Sequence, residues 1–209
     1  MENGCHTKLP LDGKRIMLKN LNKYKVILAS NSPRRKELLA GLGIDYEVRT
    51  LPDIEENYPD NLVGEEIPLY IACEKAEAYR ESIDLNELII TADTIVWVDG
   101  RVMGKPKDEE DARCMLKALS GRTHQVYTGV CLTTVDYQES FTAATDVTFS
   151  KLTDEEIDYY IECYRPMDKA GSYGIQEWIG YIGVERIEGS FFNVMGLPVQ
   201  RLYRELKQL

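Results

Sequence analysis

The feature that most constrains the fold is a short apolar run that leads directly into a helix start. Residues 25–29 are β-branched and apolar, as in a buried strand, and the run stops at Ser30. Ser32 and Pro33 follow, a capping hydroxyl and a proline suited to the first helical position, and leucines then form a stripe before Gly43. The pattern predicts a strand, a tight turn and a helix as the first unit of the domain.

Later segments combine helical periodicity with hairpin signals. A capping box at Thr153 opens a helix, and Asp99-Gly100 is a hairpin turn signal. Because helices and strands alternate early and hairpins come later, we expect an α/β fold with a mixed sheet. The predicted strands are 46–49, 88–91, 94–98, 125–134 and 141–149, and the further helices are 68–82, 106–119 and 198–206.

Length and composition favour one globular domain. The 209 residues, 44% of them hydrophobic, are enough for a core, and we place a single domain at 24–209 after an N-terminal extension at 1–23. The net charge of −10 argues against general nucleic-acid binding. Five widely spaced cysteines without a CxxC pair favour a reduced, cytoplasmic protein. No apolar run approaches the roughly 18 residues of a membrane span, and no signal peptide is recognisable.

Arg34 and Arg35 are cations in the first turn of the predicted helix, where the helix dipole disfavours positive charge. A bound phosphate would compensate, since it would meet free N–H groups, the hydroxyl of Ser30 and two guanidinium groups. The alternative is a basic pair that is solvated or bridged to Glu37 or to a distant acid.

Asp93 follows an apolar run of residues, which places it within a central strand or at a break in that strand. A buried carboxylate normally has a metal ion, an arginine or a reacting water beside it, and the alternative is an aspartate that caps a local turn. Glu55 and Glu56 lie in an acidic loop, where carboxylates are usually just solvated. These residues are the candidates for a general base and for metal ligands.

Three further polar residues are candidates for substrate binding. Lys75 lies on a predicted helix, and Lys105 stands between glycine and proline just ahead of another helix. Gln176 ends a glycine-containing stretch, and its amide can both donate and accept hydrogen bonds, as recognition of a nucleobase requires. Surface lysines and an ordinary loop are the alternatives.

Together these stretches resemble the Maf family of nucleoside triphosphate pyrophosphatases. The likeness covers about residues 24–207 and rests on five spaced motifs. The Asp-Lys-Ala-Gly-Ser-Tyr-Gly-Ile-Gln form of the last motif resembles the branch that acts on dTTP and UTP, although Glu177 follows where many relatives have glycine. The motifs are residues 28–39, 92–96, 104–108, 119–124 and 168–176.

The resemblance implies a fold, a cofactor and a set of roles. The fold is an elongated mixed sheet flanked by helices, with two lobes and a cleft, similar to inosine triphosphate pyrophosphatases. The cofactor is a divalent cation, Mg²⁺ or Mn²⁺, which Asp93 and Glu56 would hold. Asp93 would activate water, and the sequence leaves open whether it acts as the base, as a metal ligand or as both. The implied substrate-binding and specificity residues are Ser30, Arg34, Arg35, Lys75, Thr94, Lys105 and Gln176.

The implied activity is hydrolysis of dTTP and UTP to the monophosphate and pyrophosphate, with modified pyrimidine nucleotides and a link to cell-division arrest as extensions. A nucleotide-binding regulator of septum formation without turnover is the alternative from another class. A nucleotidyltransferase is weaker, since no extended glycine-rich sugar-nucleotide loop is present near the N-terminus. Relatives are often dimers, so the resemblance is compatible with a homodimer.

Overall fold

A computed structural model describes residues 17–52, 54 and 56–209. Residues 1–16, Asp53 and Glu55 lie outside this range, so the part of the predicted extension and of the acidic loop that they form is not covered. Within the covered part of the extension, Leu18 and Leu21 are buried in the main core. The Asn20 amide also donates to the carbonyl of Leu206 (2.7 Å), which ties this segment to the last helix.

In the described residues, seven strands form one mixed sheet, which confirms the predicted fold class. The order is β2-β1-β3-β5-β6-β7, and β4 pairs with β3. β1 runs parallel to β2 and β3, whereas the other pairs are antiparallel. The strands are β1 (Lys25–Leu28), β2 (Glu47–Val48), β3 (Glu87–Val98), β4 (Arg101–Met103), β5 (Thr123–Thr133), β6 (Gln138–Phe149) and β7 (Val184–Glu188).

Helices flank this sheet, and several of their ends are set by side chains that cap them. Thr153 and Glu156 form the predicted capping box, and Ser32 accepts from the Arg35 N–H. The helices are α1 (Pro33–Gly41), α2 (Glu66–Glu77), α3 (Glu109–Leu119), α4 (Asp154–Tyr164), α5 (Trp178–Gly183), α6 (Phe191–Met195) and α7 (Val199–Leu206). None of the described helices is long and apolar enough to cross a bilayer.

Several predicted boundaries were wrong for local reasons. α2 begins before Pro68, because the first turn of a helix needs no intrahelical N–H donor and therefore tolerates proline. α3 begins at Glu109 and not at 106, because the Asp108 carboxylate caps the Asp111 N–H (2.8 Å). The hairpin strands β5 and β6 are longer than predicted, and α5, β7 and α6 were not predicted at all.

Side chains of β3 alternate between two packing environments. Ile89 and Ile95 face the side covered by α2, and the Thr91 hydroxyl donates to the carbonyl of Ala72 in that helix (2.7 Å). Leu88, Ile90, Ala92, Val96 and Val98 belong to the main core on the opposite face. β3 is continuous through residue 93, so Asp93 lies within a strand and not at a break.

One edge of β3 is open in its middle. β1 pairs with it as far as Ile90, and β4 pairs with it only from Val96 onward. Between these points no strand among the described residues covers that edge, whereas β5 pairs along the other edge. The gap lies just beyond the carboxyl end of β1, a usual position for ligand binding in open α/β sheets.

Gly129 in β5 allows α2 to approach the sheet closely. It is buried and pairs with Asp93 across the strands. A β-carbon at this position would lie 2.3 Å from the carbonyl oxygen of Pro68, inside any allowed contact. The absence of a side chain at residue 129 is therefore required for the packing of α2, the helix that carries Lys75.

We expect Gly129→Ala to lower the free energy of unfolding by about 3 kcal/mol, because the added methyl group must push α2 away from the sheet. Thermal and urea unfolding will measure the loss. Gly41→Ala is the matched control, since a β-carbon there meets nothing within 4 Å. Equal stability of the two variants would contradict the packing role of residue 129.

Candidate active site

A cleft of about 960 Å³ opens at the uncovered edge of β3. Its walls come from the turn between β1 and α1, from α2, from the segment around Gly104 and Lys105, and from the segment between α4 and α5. All nine residues proposed from the sequence line this cleft: Ser30, Arg34, Arg35, Glu56, Lys75, Asp93, Thr94, Lys105 and Gln176. The fold thus brings the predicted candidates together, while their individual roles stay predictions.

The start of α1 presents backbone N–H groups beside hydroxyls. Ser32 is the N-cap, and its own N–H donates to Oγ of Ser30 (3.2 Å). Pro33 occupies the first turn, where no N–H donor is required. A helix N-terminus of this kind attracts anions. The nearby arginines differ sharply in how much of their charge is available.

Arg35 is bound to the protein. Its guanidinium donates through Nε to the carbonyl of Gly196 (2.8 Å) and through Nη1 to the carbonyl of Ala92 (2.9 Å). Through Nη2 it donates to Oγ1 of Thr94 (3.0 Å). Burial lowers the pKa of Arg35, and the charge of Asp93 opposes this shift. Arg35 fills the gap along β3, so its first role is to hold α1 against the sheet.

Arg34 is more available. It donates to the Asp168 carboxylate (3.1 Å), and 60% of the Asp168 side chain is exposed, so solvent screens this pair. Asp168 is held on its other side by the Lys169 ammonium (2.8 Å). A distant acid was one of the alternatives that the sequence left open for the two arginines, and it applies to Arg34. An incoming phosphate can replace this exposed carboxylate at little cost.

Asp93 is buried on the face of β3 that α2 covers. Its Oδ1 accepts from the Lys75 ammonium (2.8 Å), and the same ammonium donates to Oε1 of Glu56 (2.7 Å). Burial raises the pKa of Asp93 above its usual value, although the charges of Lys75 and Arg35 oppose the rise. A carboxylate in this state is a stronger base than a solvated one.

Glu56 shows the opposite balance. Burial alone would raise the pKa of Glu56, but the hydrogen bond and charge of Lys75, together with the charge of Lys105, hold it below its ordinary value. The two carboxylates therefore differ: Glu56 stays ionised more readily, and Asp93 is the better proton acceptor. Such a separation of neighbouring carboxyl groups is typical of acid–base sites.

The carboxylates fit a divalent cation only in part. Among the described residues no group of three or more His, Cys, Asp or Glu side chains forms a protein-only metal cage. Asp93 and Glu56 nevertheless converge on one cation, the Lys75 ammonium. Magnesium is commonly held by one or two carboxylates together with substrate phosphates. This pair matches that donor set, and Glu55 lies outside the described residues.

The remaining candidates differ in their exposure and in their hydrogen-bond partners. The Thr94 hydroxyl is on the inner side, in contact with Arg35 and with the Thr128 hydroxyl (3.0 Å), where it supports the guanidinium. Lys105 is exposed at the rim. Gln176 is half-buried, and its Oε1 is buried with no hydrogen-bond partner among the described residues.

Sequence reasoning did not select three contributors to this geometry. Asp168 and Lys169 belong to the last motif, so the signal was present but was assigned to Gln176 alone. Gly196 ends α6 with φ of +116°, and its carbonyl accepts from Arg35. No local pattern identifies a carbonyl acceptor 161 residues away along the chain.

Comparison with known proteins assigns the family. A family model described as Maf-like protein matches residues 25–209. The chain belongs to the Maf family. A relative from Phocaeicola vulgatus is 76% identical over 92% of this chain and 100% of its own, and one from Bacteroides thetaiotaomicron is 66% identical over the same shares. A third, from Flavobacterium psychrophilum, is 50% identical over 90% of this chain and 96% of its own.

All three Maf relatives are named dTTP/UTP pyrophosphatase. Among solved structures, a HAM1 protein from Coxiella burnetii is similar with a TM-score of 0.48 and 15% identity. It covers 89% of this Maf chain and 100% of its own.

The raised pKa of Asp93 predicts a pH-dependent stability. The folded state keeps a proton on Asp93 at pH values where the unfolded chain has lost it, so the free energy of unfolding falls as pH rises through that window. The amide that the Asp93→Asn substitution introduces does not titrate. We expect this variant to melt at a higher temperature than wild type at neutral pH, with the advantage disappearing as pH falls below the ordinary aspartate pKa.

Melting temperatures across this pH range are the measurement. Asp136→Asn serves as the control, because Asp136 is exposed in the turn between β5 and β6. A constant difference between Asp93→Asn and wild type at every pH would contradict the assignment of a raised pKa.

Proposed function

We propose that this protein is a nucleoside triphosphate pyrophosphatase that hydrolyses dTTP and UTP to the monophosphate and pyrophosphate. The observation that carries the proposal is a buried carboxylate, Asp93, bonded to Lys75 at the open edge of β3, beside the start of α1. A base, cations and a helix N-terminus thus face one cleft. Relatives named for this activity cover over 90% of the chain at 60% identity or more, which supports the same substrates here.

The triphosphate would bind at the cationic side of the cleft. Arg34 exchanges the Asp168 carboxylate for phosphate oxygens, and Lys105 approaches from the exposed rim. The N-terminal end of α1 and the Ser30 hydroxyl complete the cradle. Fixing the phosphate chain in this way prepares it for in-line attack.

Asp93 would accept the proton of the attacking water. Its carboxylate is held in one orientation by the hydrogen bond from Lys75, and its raised pKa makes it a competent base. Water attacks the α-phosphorus, the bond between this phosphorus and the bridging oxygen breaks, and pyrophosphate leaves. Arg35 takes part indirectly, since its hydrogen bond to the Ala92 carbonyl holds α1 in position against β3.

Asp93 and Glu56 would hold a divalent cation, Mg²⁺ or Mn²⁺, together with oxygens of the substrate. When bound, this ion neutralises charge on the phosphate groups. Lys75 lies between the two carboxylates and keeps them close before substrate arrives.

The spacing of the cysteines further leads us to propose a cytoplasmic location. A homodimer stays a prediction.

We expect purified protein with Mg²⁺ or Mn²⁺ to convert dTTP and UTP to monophosphate and pyrophosphate faster than CTP or GTP. Chromatography of the products measures reaction type and base preference together. Binding of nucleotides without any product would contradict the enzyme and favour the regulator. Competition with methylated pyrimidine triphosphates tests whether modified nucleotides are preferred.

We expect Asp93→Asn to lower kcat by about 100-fold or more, because the variant removes the proton acceptor without removing bulk. Pyrophosphate release is the readout, and thermal melting of the same sample verifies the fold. Wild-type turnover in a folded Asp93→Asn protein would remove Asp93 from the mechanism.

We also expect chelation by EDTA to abolish pyrophosphate release and added Mg²⁺ or Mn²⁺ to restore it, since the two carboxylates need a cation to bring them to phosphate oxygens. The rate at increasing metal concentration is the measurement, with Ca²⁺ in place of these ions for comparison. Full activity of a thoroughly dialysed sample in EDTA would contradict the metal assignment.

A further inference from the structure

The Gln176 amide has a buried oxygen and a nitrogen close to a carboxylate. Gln176 lines the cleft, and its Oε1 is the buried end of the amide, without a hydrogen-bond partner among the described residues. A carboxamide can turn by half a rotation and exchange its donor and acceptor. Since no partner among the described residues holds the oxygen, a neighbour of Nε2 can decide which way the amide points.

The Glu177 carboxylate lies near that nitrogen. A β-carbon at Gly174 would be 2.9 Å from Nε2 of Gln176 and 3.0 Å from Oε2 of Glu177, so both groups lie close to the same side of Gly174. With Nε2 on this side, the positive end of the amide faces a negative charge. The turned amide would place its oxygen there, which the carboxylate repels.

Glu177 is itself held firmly. Its Oε2 accepts from the hydroxyl of Tyr160, and its Oε1 accepts from the Lys169 ammonium (3.1 Å). Tyr160 is fully buried, and Lys169 is only 7% exposed. The Tyr160 oxygen also accepts from the N–H of Gly174 (3.0 Å), so the same anchor fixes the backbone ahead of Gln176. A carboxylate bonded at both oxygens keeps its position when the cleft is empty or filled.

We propose that Glu177 is a specificity-determining positioning residue: it fixes the Gln176 amide with Nε2 as the donor that faces the base. The inference rests on the proposed function. Thymine and uracil share a carbonyl group at position 4, which accepts from Nε2. Cytosine carries an amino group there, so two hydrogen-bond donors, this amino group and Nε2 of Gln176, would face each other. A site that must leave buried polar groups unpaired with the wrong base discriminates strongly.

The test is Glu177→Gln, which keeps the size and an acceptor for Tyr160 but removes the charge. The Gln176 amide is then free to turn and offer Oε1 to the cytosine amino group. We expect the ratio of kcat/KM for UTP over CTP to fall about tenfold, the scale of one hydrogen-bond preference. The gain should appear as a lower KM for CTP. The ratio for dTTP over UTP should stay unchanged, because both bases carry the carbonyl.

Glu185→Gln is the matched control, since Glu185 is exposed on β7. Tyr160→Phe keeps the charge but frees one carboxylate oxygen, so it should move the UTP over CTP ratio in the same direction by less. A folded Glu177→Gln protein with the wild-type ratio, or with equal losses on all three substrates, would overturn the inference. If Glu177→Gln does not fold, an unchanged ratio in Tyr160→Phe overturns it.

Failure of the proposed function is separable from failure of this inference. Absence of pyrophosphate release by wild type would reject the function alone. Calorimetric affinities for the α,β-methylene analogues of UTP and CTP do not depend on hydrolysis. Wild type should prefer the UTP analogue, and Glu177→Gln should lose most of that preference. Equal preference in both proteins would reject the role of Glu177.

Discussion

The hydrogen bonds of the Arg35 guanidinium hold the site together. β3 lacks a neighbouring strand between the end of β1 and the start of β4 in the part of the chain that the structure describes, so the carbonyl of Ala92 has no ladder partner on that edge. Arg35 donates to it and, with the same planar group, to Gly196. One side chain thus joins α1, β3 and the end of α6. The gap in the sheet therefore forms a cleft in which the Ala92 carbonyl has a hydrogen-bond donor, and this carbonyl is not left unpaired at the sheet edge.

The polar centre of the cleft contains partly buried charged groups, whose burial is unfavourable for folding. Burial of Asp93 raises its pKa, which means that the fold disfavours the ionised form despite the ammonium beside it. The Lys75 ammonium binds two carboxylates, that of buried Asp93 and that of Glu56 on a loop. A hydrophobic replacement of such groups often leaves a protein as stable or more stable, so stability alone does not explain their presence. The same tension appears at Gln176, whose oxygen is buried without a partner among the described residues.

Local patterns predicted those parts of the fold that depend on neighbours in the sequence. The strand, turn and helix at the N-terminus and the capping box at Thr153 follow from adjacent residues, and both were correct. Three hydrogen bonds of the Arg35 guanidinium reach acceptors 57 to 161 residues away, and nothing in the neighbouring sequence distinguishes Arg35 from Arg34. α6 has five residues, too few for a helical period to show. The sequence therefore predicted residues that line the cleft more completely than it predicted their partners.

The close approach of α2 to β5 has a consequence for how variation in this protein will look. Residue 129 stands directly across from Asp93, and Pro68 lies on the same helix as Lys75. The distance between the Lys75 ammonium and the Asp93 carboxylate therefore depends on the backbone contact between Gly129 and Pro68, and neither of these residues has a reactive side chain. A library of random variants screened for turnover would return this glycine as intolerant, and a map of substrate contacts would give no reason for it.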